Sequence, residues 1–334
     1  MTPAELHRDA IIIDATCPLA REVAYVDWYR EGGATAIAPT ITGVTGNARS
    51  GFAMIGGWHR YARERGDAIV VRLAADIEQA KAQGKLALVL HCQGTAIIED
   101  DLDLVDAYQQ AGLRIVQLCY NRKDLVGDGG SERTDSGLSH FGVALVQRLN
   151  ALGMVVDCSH TGRRTSFDAI EMSSHPVIIS HANARAVHDN GRNVADDLIK
   201  AIAASGGVVG TVGFPGFLVR EGQPSLDRFI DDIAYKADLV GIEHTGIGID
   251  YYEGQHPVQD ERAAMARYRN RLATGQWRAE EYPPPPYYFP AGIETPRTLP
   301  RLTERLRERG FSEQDVRKIW GLNWMRVYRA VWGG

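Results

Sequence analysis

The chain has 334 residues, of which 44% are hydrophobic and 24% are charged, a composition typical of a globular protein with a large core. Its formal net charge of -5 gives no electrostatic basis for binding nucleic acid or an anionic membrane, and no run approaches the ~20 apolar residues of a membrane span. The four cysteines lack the paired spacings of a zinc finger or redox motif, and the N-terminus lacks the apolar core of a secretion signal, so we expect buried thiols in a cytoplasmic protein.

Short apolar runs alternate along the chain with stretches in which apolar residues recur every three or four positions. The stretches indicate helices, and the runs indicate buried strands. Eight such strands are predicted: Ala10–Asp14, Gly33–Thr42, Leu86–His91, Leu113–Tyr120, Met154–Ser159, Pro176–Ser180, Gly207–Val212 and Thr245–Asp250. This alternation predicts an α/β protein, a (β/α)8 TIM barrel formed by a single domain of residues 1–334. A doubly wound open sheet is the alternative, because alternation alone does not show closure.

The segment from about residue 255 to residue 300 breaks this alternation. It contains an Arg-rich helix candidate, Asp260–Leu272, and four consecutive prolines within Tyr282–Pro290. Consecutive prolines favour polyproline II and cannot enter the interior of a helix or sheet. Because this insertion follows the eighth strand, we expect it at the barrel mouth, where its aromatic side chains wall a substrate pocket. A surface loop or a subunit contact in a homodimer is the alternative.

Two histidines follow consecutive predicted strands. His160 comes after Met154–Ser159, and His181 comes after Pro176–Ser180. In a barrel the carboxyl ends of the strands meet at one face, where the chemistry is located. Neutral imidazoles are common zinc ligands, so the two histidines predict half of a zinc site.

Five motifs in one order resemble those of the membrane (renal) dipeptidases, a branch of the metal-dependent amidohydrolases. The likeness runs from about Asp9 to Arg326, and the resemblance implies a (β/α)8 barrel with two zinc ions bridged by a glutamate. The motifs are Ser159-His160, Ser180-His181 with Ala182–Val187, Gly191–Asp197, Gly206-Gly207-Val208 and Gly246–Asp250.

Four residues of this sequence match functional positions of that family. The resemblance implies that His160 and His181 bind one metal and that Asp250 lies near the other metal and the attacking water. It also implies that Arg192 grips the carboxylate of the substrate, and we expect its neighbour Asn193 to contribute to substrate binding.

The remaining family positions have changed. Thr16 and Pro18 occupy the places of a His-x-Asp pair, Gln93 replaces the bridging glutamate, and Tyr120 replaces the histidine that polarises the scissile carbonyl. Proline has no side-chain donor, and a threonine hydroxyl or a neutral amide is a poor zinc ligand, so we expect one zinc ion or none.

A single zinc ion has four candidate ligands. They are His160, His181, the carbonyl oxygen of Gln93, and His91, which lies two residues before Gln93 and therefore on the same strand face. The alternative is an empty site in which the histidines are hydrogen-bonded polar residues.

Each predicted role also has a purely structural alternative. Asp250, in a partly dehydrated cavity, suits a general base, or else it pairs with an imidazole or with Arg192. Arg192 can bind a carboxylate through two parallel hydrogen bonds, or else it pairs with Asp196 and Asp197. Tyr120 can donate a hydrogen bond to a developing oxyanion, or else it only packs.

These residues predict a hydrolase that cleaves an amide or related C–N bond in a small carboxylate-bearing molecule, with weak activity on ordinary dipeptides. A non-catalytic or metal-free binding protein on a dipeptidase scaffold is the alternative. A third reading is a lyase or isomerase with Asp250 as base and Tyr120 as acid.

Overall fold

The computed structural model describes residues 1–42, 45–257 and 260–333. The strands of this part of the chain are β1 Ile13–Cys17, β2 Ala36–Pro39, β3 Ala68–Val70, β4 Leu86–Leu88, β5 Leu90–Gln93, β6 Leu113–Gln117, β7 Val155–Asp157, β8 Val209–Thr211 and β9 Thr245–Ile247.

Helices connect the strands and cover the outside of the sheet. The α-helices are α1 Pro3–Asp9, α2 Val26–Glu31, α3 Ala48–Arg65, α4 Ala74–Ala82, α5 Asp103–Ala111, α6 His140–Ala151, α7 Arg163–Met172, α8 Asp196–Ala204, α9 Leu226–Val240, α10 Glu261–Ala273, α11 Pro300–Glu308, α12 Glu313–Arg317 and α13 Asn323–Trp332. A π-helical stretch, Lys318–Leu322, joins α12 to α13, and short 3-10 turns lie at Pro18–Arg21, Val23–Tyr25, Pro215–Phe217, Ile242–His244 and Pro296–Thr298.

The strands pair in parallel around a closed ring. β1 pairs with β2, β2 with β4, β5 with β6, β6 with β7, and β8 with β9. The predicted strand Pro176–Ser180 is present as two parallel bridges, from Ile178 to β7 and from Ile179 to β8. After β9, the Asp250 amide donates a hydrogen bond of 3.2 Å to the Thr16 carbonyl, which joins the last strand to the first. The eight predicted strands therefore form the (β/α)8 barrel in chain order.

Two details of the sheet differ from the prediction. The third predicted strand is divided at Val89 into β4 and β5. β3 was not predicted, and it pairs in parallel with β4 outside the ring. β3 has three residues, two of them only partly buried, so its apolar pattern was too short to stand out.

The helices bury apolar faces of the expected period. In α9, Phe229, Ile230 and Ile233 are fully buried, at the three- and four-residue spacing of an amphipathic helix. Among the described residues, no helix combines the length and the apolar character needed to cross a lipid bilayer.

Two glycines let the barrel wall close tightly around Ser180. A Cβ atom added at Gly210 or at Gly248 would lie 2.0 Å from the Ser180 carbonyl oxygen. Only glycine permits backbones to approach this closely. These two contacts determine where the residue after Ser180, His181, enters the mouth.

The insertion folds over the mouth of the barrel. Its helix, α10, confirms the predicted Asp260–Leu272 element and is capped by Asp260, whose Oδ1 accepts a 2.8 Å hydrogen bond from the Arg262 amide. Tyr282, Tyr287 and Phe289 of the proline-rich loop are buried. The insertion therefore contributes aromatic side chains to the wall above the strand ends.

Candidate active site

The two predicted histidines lie side by side at the mouth. The ring centroids of His160 and His181 are 4.9 Å apart in an edge-to-face arrangement, and both side chains are buried. On its other side His160 stacks on Tyr120, with a centroid distance of 4.0 Å. Burial lowers the pKa of both imidazoles well below the usual value, and the charge of Arg192 adds to this effect. Both histidines are therefore neutral bases.

Hydrogen bonds define the tautomer of His181. Its Nδ1 lies 2.7 Å from Ser180 Oγ and 3.1 Å from Thr16 Oγ1. Ser180 Oγ donates its own proton to Asp157 Oδ2 at 2.6 Å, so it accepts from His181 and Nδ1 carries the hydrogen. Nε2 consequently has a free lone pair, and it is buried without a hydrogen-bond partner among the described residues.

Asp157, which the sequence did not single out, organises the floor of the mouth. Its Oδ1 accepts hydrogen bonds from the amide and hydroxyl of Ser159 at 2.8 and 2.7 Å and from the Ser180 amide at 3.0 Å. The predicted ligand His91 is fully buried beside it, with Nε2 3.2 Å from Asp157 Oδ2. Burial opposes the ionisation of Asp157, but His91, His181 and Ser180 hold its pKa below the usual value.

Asp250 and Asp14 form a second acidic group at the mouth. Burial raises the pKa of Asp250 to about 8, with a further contribution from Asp14, while Arg192, Gln93 and Arg271 act in the opposite direction. Asp14 was not predicted as a site residue. Burial raises its pKa to about 7, its Oδ1 accepts a 2.9 Å hydrogen bond from the Ile249 amide, and its Oδ2 has no partner among the described residues. Asp250 can therefore exchange a proton near neutral pH.

Arg192 points inward, to the imidazole pair. Its Nε lies 3.0 Å from His160 Nδ1, and its Nη2 donates to the His181 carbonyl at 3.1 Å. The guanidinium carbon is 5.6 Å from the centre of the Phe217 ring. No carboxylate of the described chain forms a salt bridge with Arg192.

The suggested structural partners of Arg192 are used elsewhere. Asp196 accepts a hydrogen bond from Tyr235, and Asp197 pairs with Arg163. The structural alternative for Arg192, a pair with these two aspartates, is therefore wrong.

Asn193 holds the loop that carries Arg192. Its Nδ2 donates to the backbone carbonyls of His188 at 2.8 Å and Phe217 at 2.9 Å. These bonds commit the amide nitrogen to the backbone. Asn193 thus helps to fix the loop that carries Arg192.

Two cavities open beside the Tyr120–His160 stack. One, of about 110 Å³, is lined by His160 and Arg192 together with Arg163 and Arg185. The other, of about 270 Å³, is lined by Tyr120 and includes Lys123. Cationic side chains therefore line both cavities, and the larger one also contains the carboxylates of Glu99 and Asp124.

The insertion supplies site residues that sequence reasoning missed. Trp277 Nε1 donates a 3.1 Å hydrogen bond to the Tyr120 hydroxyl. The guanidinium carbon of Arg271 lies 5.0 Å from the ring centre of Trp277, 5.5 Å from that of Tyr252 and 6.0 Å from that of Tyr120. A signal was present, since Arg271 follows the buried residues Ala264 and Tyr268 at helical spacing on the inner face of α10.

The geometry of the site is consistent with the similarity of this chain to a known protein family. The family model described as membrane dipeptidase (peptidase family M19) matches residues 52–275 and 286–332. The chain belongs to the membrane dipeptidase family. The match leaves out the first 51 residues, which include Thr16 and Pro18, so the replacement of a His-x-Asp pair at these positions stays a prediction.

Individual proteins are also similar to this chain in sequence or in fold. A crystal structure described as an amidohydrolase from Pseudomonas aeruginosa is 34% identical, with a TM-score of 0.88 and 100% of each chain covered. Dipeptidase verJ of Clonostachys rogersoniana is 26% identical over 264 residues, which span 78% of this chain and 60% of that protein. A Rhodobacter sphaeroides metallopeptidase, solved with a phosphinate mimic of L-Ala-D-Ala, shares the fold at 22% identity and a TM-score of 0.79, covering 97% of this chain and 100% of that one.

Membrane dipeptidases are metallopeptidases, but the residues at this mouth fit a metal centre poorly. No group of three or more His, Cys, Asp or Glu side chains among the described residues is arranged to hold a metal ion. His181 Nε2 has a free lone pair that a metal ion can accept. His160 Nδ1, in contrast, lies 2.8 Å from Asn121 Oδ1 and next to the cationic Arg192. Gln93 adds no charge to offset a dication. The zinc count of one or none, with ligands among His160, His181, Gln93 and His91, stays a prediction.

Proposed function

We propose that this member of the membrane dipeptidase family is a hydrolase that cleaves an amide or related C–N bond in a small substrate with a free carboxylate. The observation that carries the proposal is Arg192, a buried guanidinium without a carboxylate partner in the described chain, beside the imidazole pair. A buried cation that forms no salt bridge is costly to bury, and a bound carboxylate relieves that cost through two parallel hydrogen bonds.

The remaining roles follow from the contacts of each side chain. Asp250 takes the proton of the attacking water, and the neighbouring Gln93 amide stabilises its charged form. Tyr120 accepts a hydrogen bond from Trp277, so its own hydroxyl proton is available to the oxygen of the scissile carbonyl. Arg192 orients the substrate by its carboxylate, and Asn193 keeps Arg192 in place.

The proposal includes slow turnover of simple dipeptides. In a two-metal centre both cations acidify the attacking water, and Thr16, Pro18 and Gln93 provide no anionic ligand to hold such a centre. We also propose a cytoplasmic location, supported by the four buried free cysteines. A homodimer stays a prediction.

The test is hydrolysis by protein purified without added metal, with elemental analysis of the same sample. N-acetyl amino acids and simple dipeptides are incubated with the protein, with and without zinc, and amine release is measured. We expect cleavage of carboxylate-bearing amides, at most one metal ion per chain, and loss of activity in Asp250→Asn but not in the exposed control Asp100→Asn. Rapid hydrolysis of dipeptides together with two zinc ions per chain would contradict the proposal.

A binding protein without catalysis is the second candidate. It is favoured by the Thr16 hydroxyl, which bonds to His181 from a position where the family has a metal ligand. Tight binding of carboxylate ligands without amine release from any substrate would support this candidate over the hydrolase.

A further inference from the structure

Arg271 is a second cation at the mouth, and its guanidinium lies near three aromatic rings. The guanidinium carbon lies within 6.0 Å of the ring centres of Trp277, Tyr252 and Tyr120. Aromatic faces attract a guanidinium, so the rings hold it over the strand ends. A guanidinium held by such contacts keeps N–H groups for hydrogen bonds.

The N–H groups of Arg271 have few hydrogen-bond partners among the described residues. A guanidinium has five N–H donors, and Arg271 Nη1 donates to Gln276 Oε1 at 3.0 Å while Tyr252 provides a further side-chain hydrogen bond. Both acceptors are neutral. Neighbouring arginines of the insertion differ, because Arg267 pairs with Glu253 at 3.3 Å and Arg278 lies 4.0 Å from Glu281.

Arg271 and Arg192 both contact the stacked pair of rings formed by Tyr120 and His160. Arg192 Nε is 3.0 Å from His160, His160 stacks on Tyr120 at 4.0 Å, and Arg271 lies over Tyr120 from the insertion. Both cations also lower the pKa values of His160 and Asp250, so their charges reach the same space. No salt bridge to a carboxylate neutralises either cation within the described residues.

We propose that Arg271 binds a second anionic group, so that the ligands of this site are small dicarboxylates with one carboxylate at Arg192 and the other at Arg271. A planar guanidinium with open N–H edges matches a carboxylate through two parallel hydrogen bonds. The aromatic side chains between the two cations pack against the apolar spacer of the ligand. The inference deepens the proposed function: the scissile C–N bond lies between the two carboxylates, and the insertion selects the substrate.

Matched ligand pairs without any C–N bond test this binding apart from turnover. Isothermal titration calorimetry on the full chain compares succinate with butyrate, glutarate with pentanoate, and adipate with hexanoate. We expect the wild-type protein to bind at least one dicarboxylate roughly tenfold more tightly than its monocarboxylate partner, the size of one charge-assisted pair. Arg271→Gln should abolish that preference, because it weakens the binding of the dicarboxylate more than that of the monocarboxylate.

Two further variants separate binding from a structural role. Arg269→Gln, an exposed arginine on the same helix, should keep the wild-type preference. Arg271→Lys keeps the charge but not the planar guanidinium, so it should retain part of the preference for dicarboxylates. Thermal unfolding of each variant reports whether the insertion still folds.

Several outcomes would overturn the inference. They are the absence of a dicarboxylate preference in the wild-type protein, the same preference in Arg271→Gln, or an equal loss for both ligands of a pair. A protein that binds dicarboxylates but hydrolyses no amide contradicts only the proposed function. One that hydrolyses amides of monocarboxylates without preferring dicarboxylates contradicts only this inference.

Discussion

Two buried histidines in this barrel have opposite hydrogen-bond environments. His7, on α1, has a partner at each ring nitrogen: Oγ1 of Thr303, on α11, at 2.7 Å from Nδ1 and the Gly32 carbonyl at 2.8 Å from Nε2. His181, at the mouth, has partners at Nδ1 only, and its Nε2 is buried without one in the described chain. A saturated imidazole can only hold the fold, whereas an unsaturated one is available to a ligand. The contrast separates the structural histidine from the functional candidate.

The largest effect is expected at Asp157, the carboxylate beneath the mouth. Asp157→Ala leaves the buried donors of Ser159 and Ser180 without their acceptor, and each buried group left unsatisfied typically costs about 1–3 kcal/mol. Urea unfolding should show a loss of this size in the free energy of unfolding. The control Asp100→Ala, at an exposed site, should change it by less than about 0.5 kcal/mol. An equally small change in Asp157→Ala would show that the mouth is not organised by this carboxylate.

The second prediction removes the Thr16–His181 hydrogen bond and restores the family ligands. The triple variant Thr16→His, Pro18→Asp and Gln93→Glu should bind zinc more tightly and raise dipeptide hydrolysis by roughly tenfold or more, because a metal then activates the water. Zinc content and amine release measure the two effects. Thr16→Ser, which keeps the hydroxyl, is the matched control. It should show neither tighter zinc binding nor faster dipeptide hydrolysis. A triple variant that folds but gains no zinc would contradict our account of the lost ligands.

A smaller effect is expected at Arg192. Arg192→Lys keeps the charge but not the planar fork, so KM or Kd for a carboxylate ligand should rise by roughly tenfold, with kcat less affected. Arg185→Lys, an exposed arginine on the rim of the same cavity, should leave both constants near the wild-type values. Unchanged binding of the carboxylate ligand in Arg192→Lys would contradict the proposal that Arg192 binds the substrate carboxylate.

The smallest effect concerns His7 and acid. Burial lowers the pKa of His7 in the folded protein, so its contribution to stability is present above the unfolded pKa of about 6.5 and is lost as the pH falls below that value. The free energy of unfolding should therefore decrease between about pH 7 and pH 5, by less in His7→Asn than in the wild-type protein. His140→Asn, at an exposed histidine, should keep the wild-type pH dependence. Identical slopes in all three proteins would contradict this role.

The elements that the sequence predicted depend on local pattern. The strand order of the barrel and the helix α10 follow from apolar periodicity and from the cap at Asp260, which are properties of neighbouring residues. The pairing of His160 with His181 needed only the rule that parallel strand ends meet at one face.

The elements that the sequence missed depend on contacts between distant segments. Asp157 looks like one polar residue in an apolar run, and its role appears only when Ser180 and His91 arrive from neighbouring strands. In the sequence, Arg271 is one of several arginines of the Arg-rich helix candidate. Its role appears only in the folded insertion, where it lies near Trp277 and Tyr120. The assigned roles of the individual mouth residues, and the single-domain boundary, stay predictions.

The glycines of the barrel wall have a consequence for how this site can change. Gly210 and Gly248 both press against the Ser180 carbonyl, and neither position has room for a methyl group. The position of His181 is therefore determined by how closely the neighbouring strands pack against Ser180, and not by the loop that follows His181. The side chains of the mouth can therefore change one at a time, for example from a metal ligand to a hydroxyl or an amide, while the distances between the strand ends stay the same.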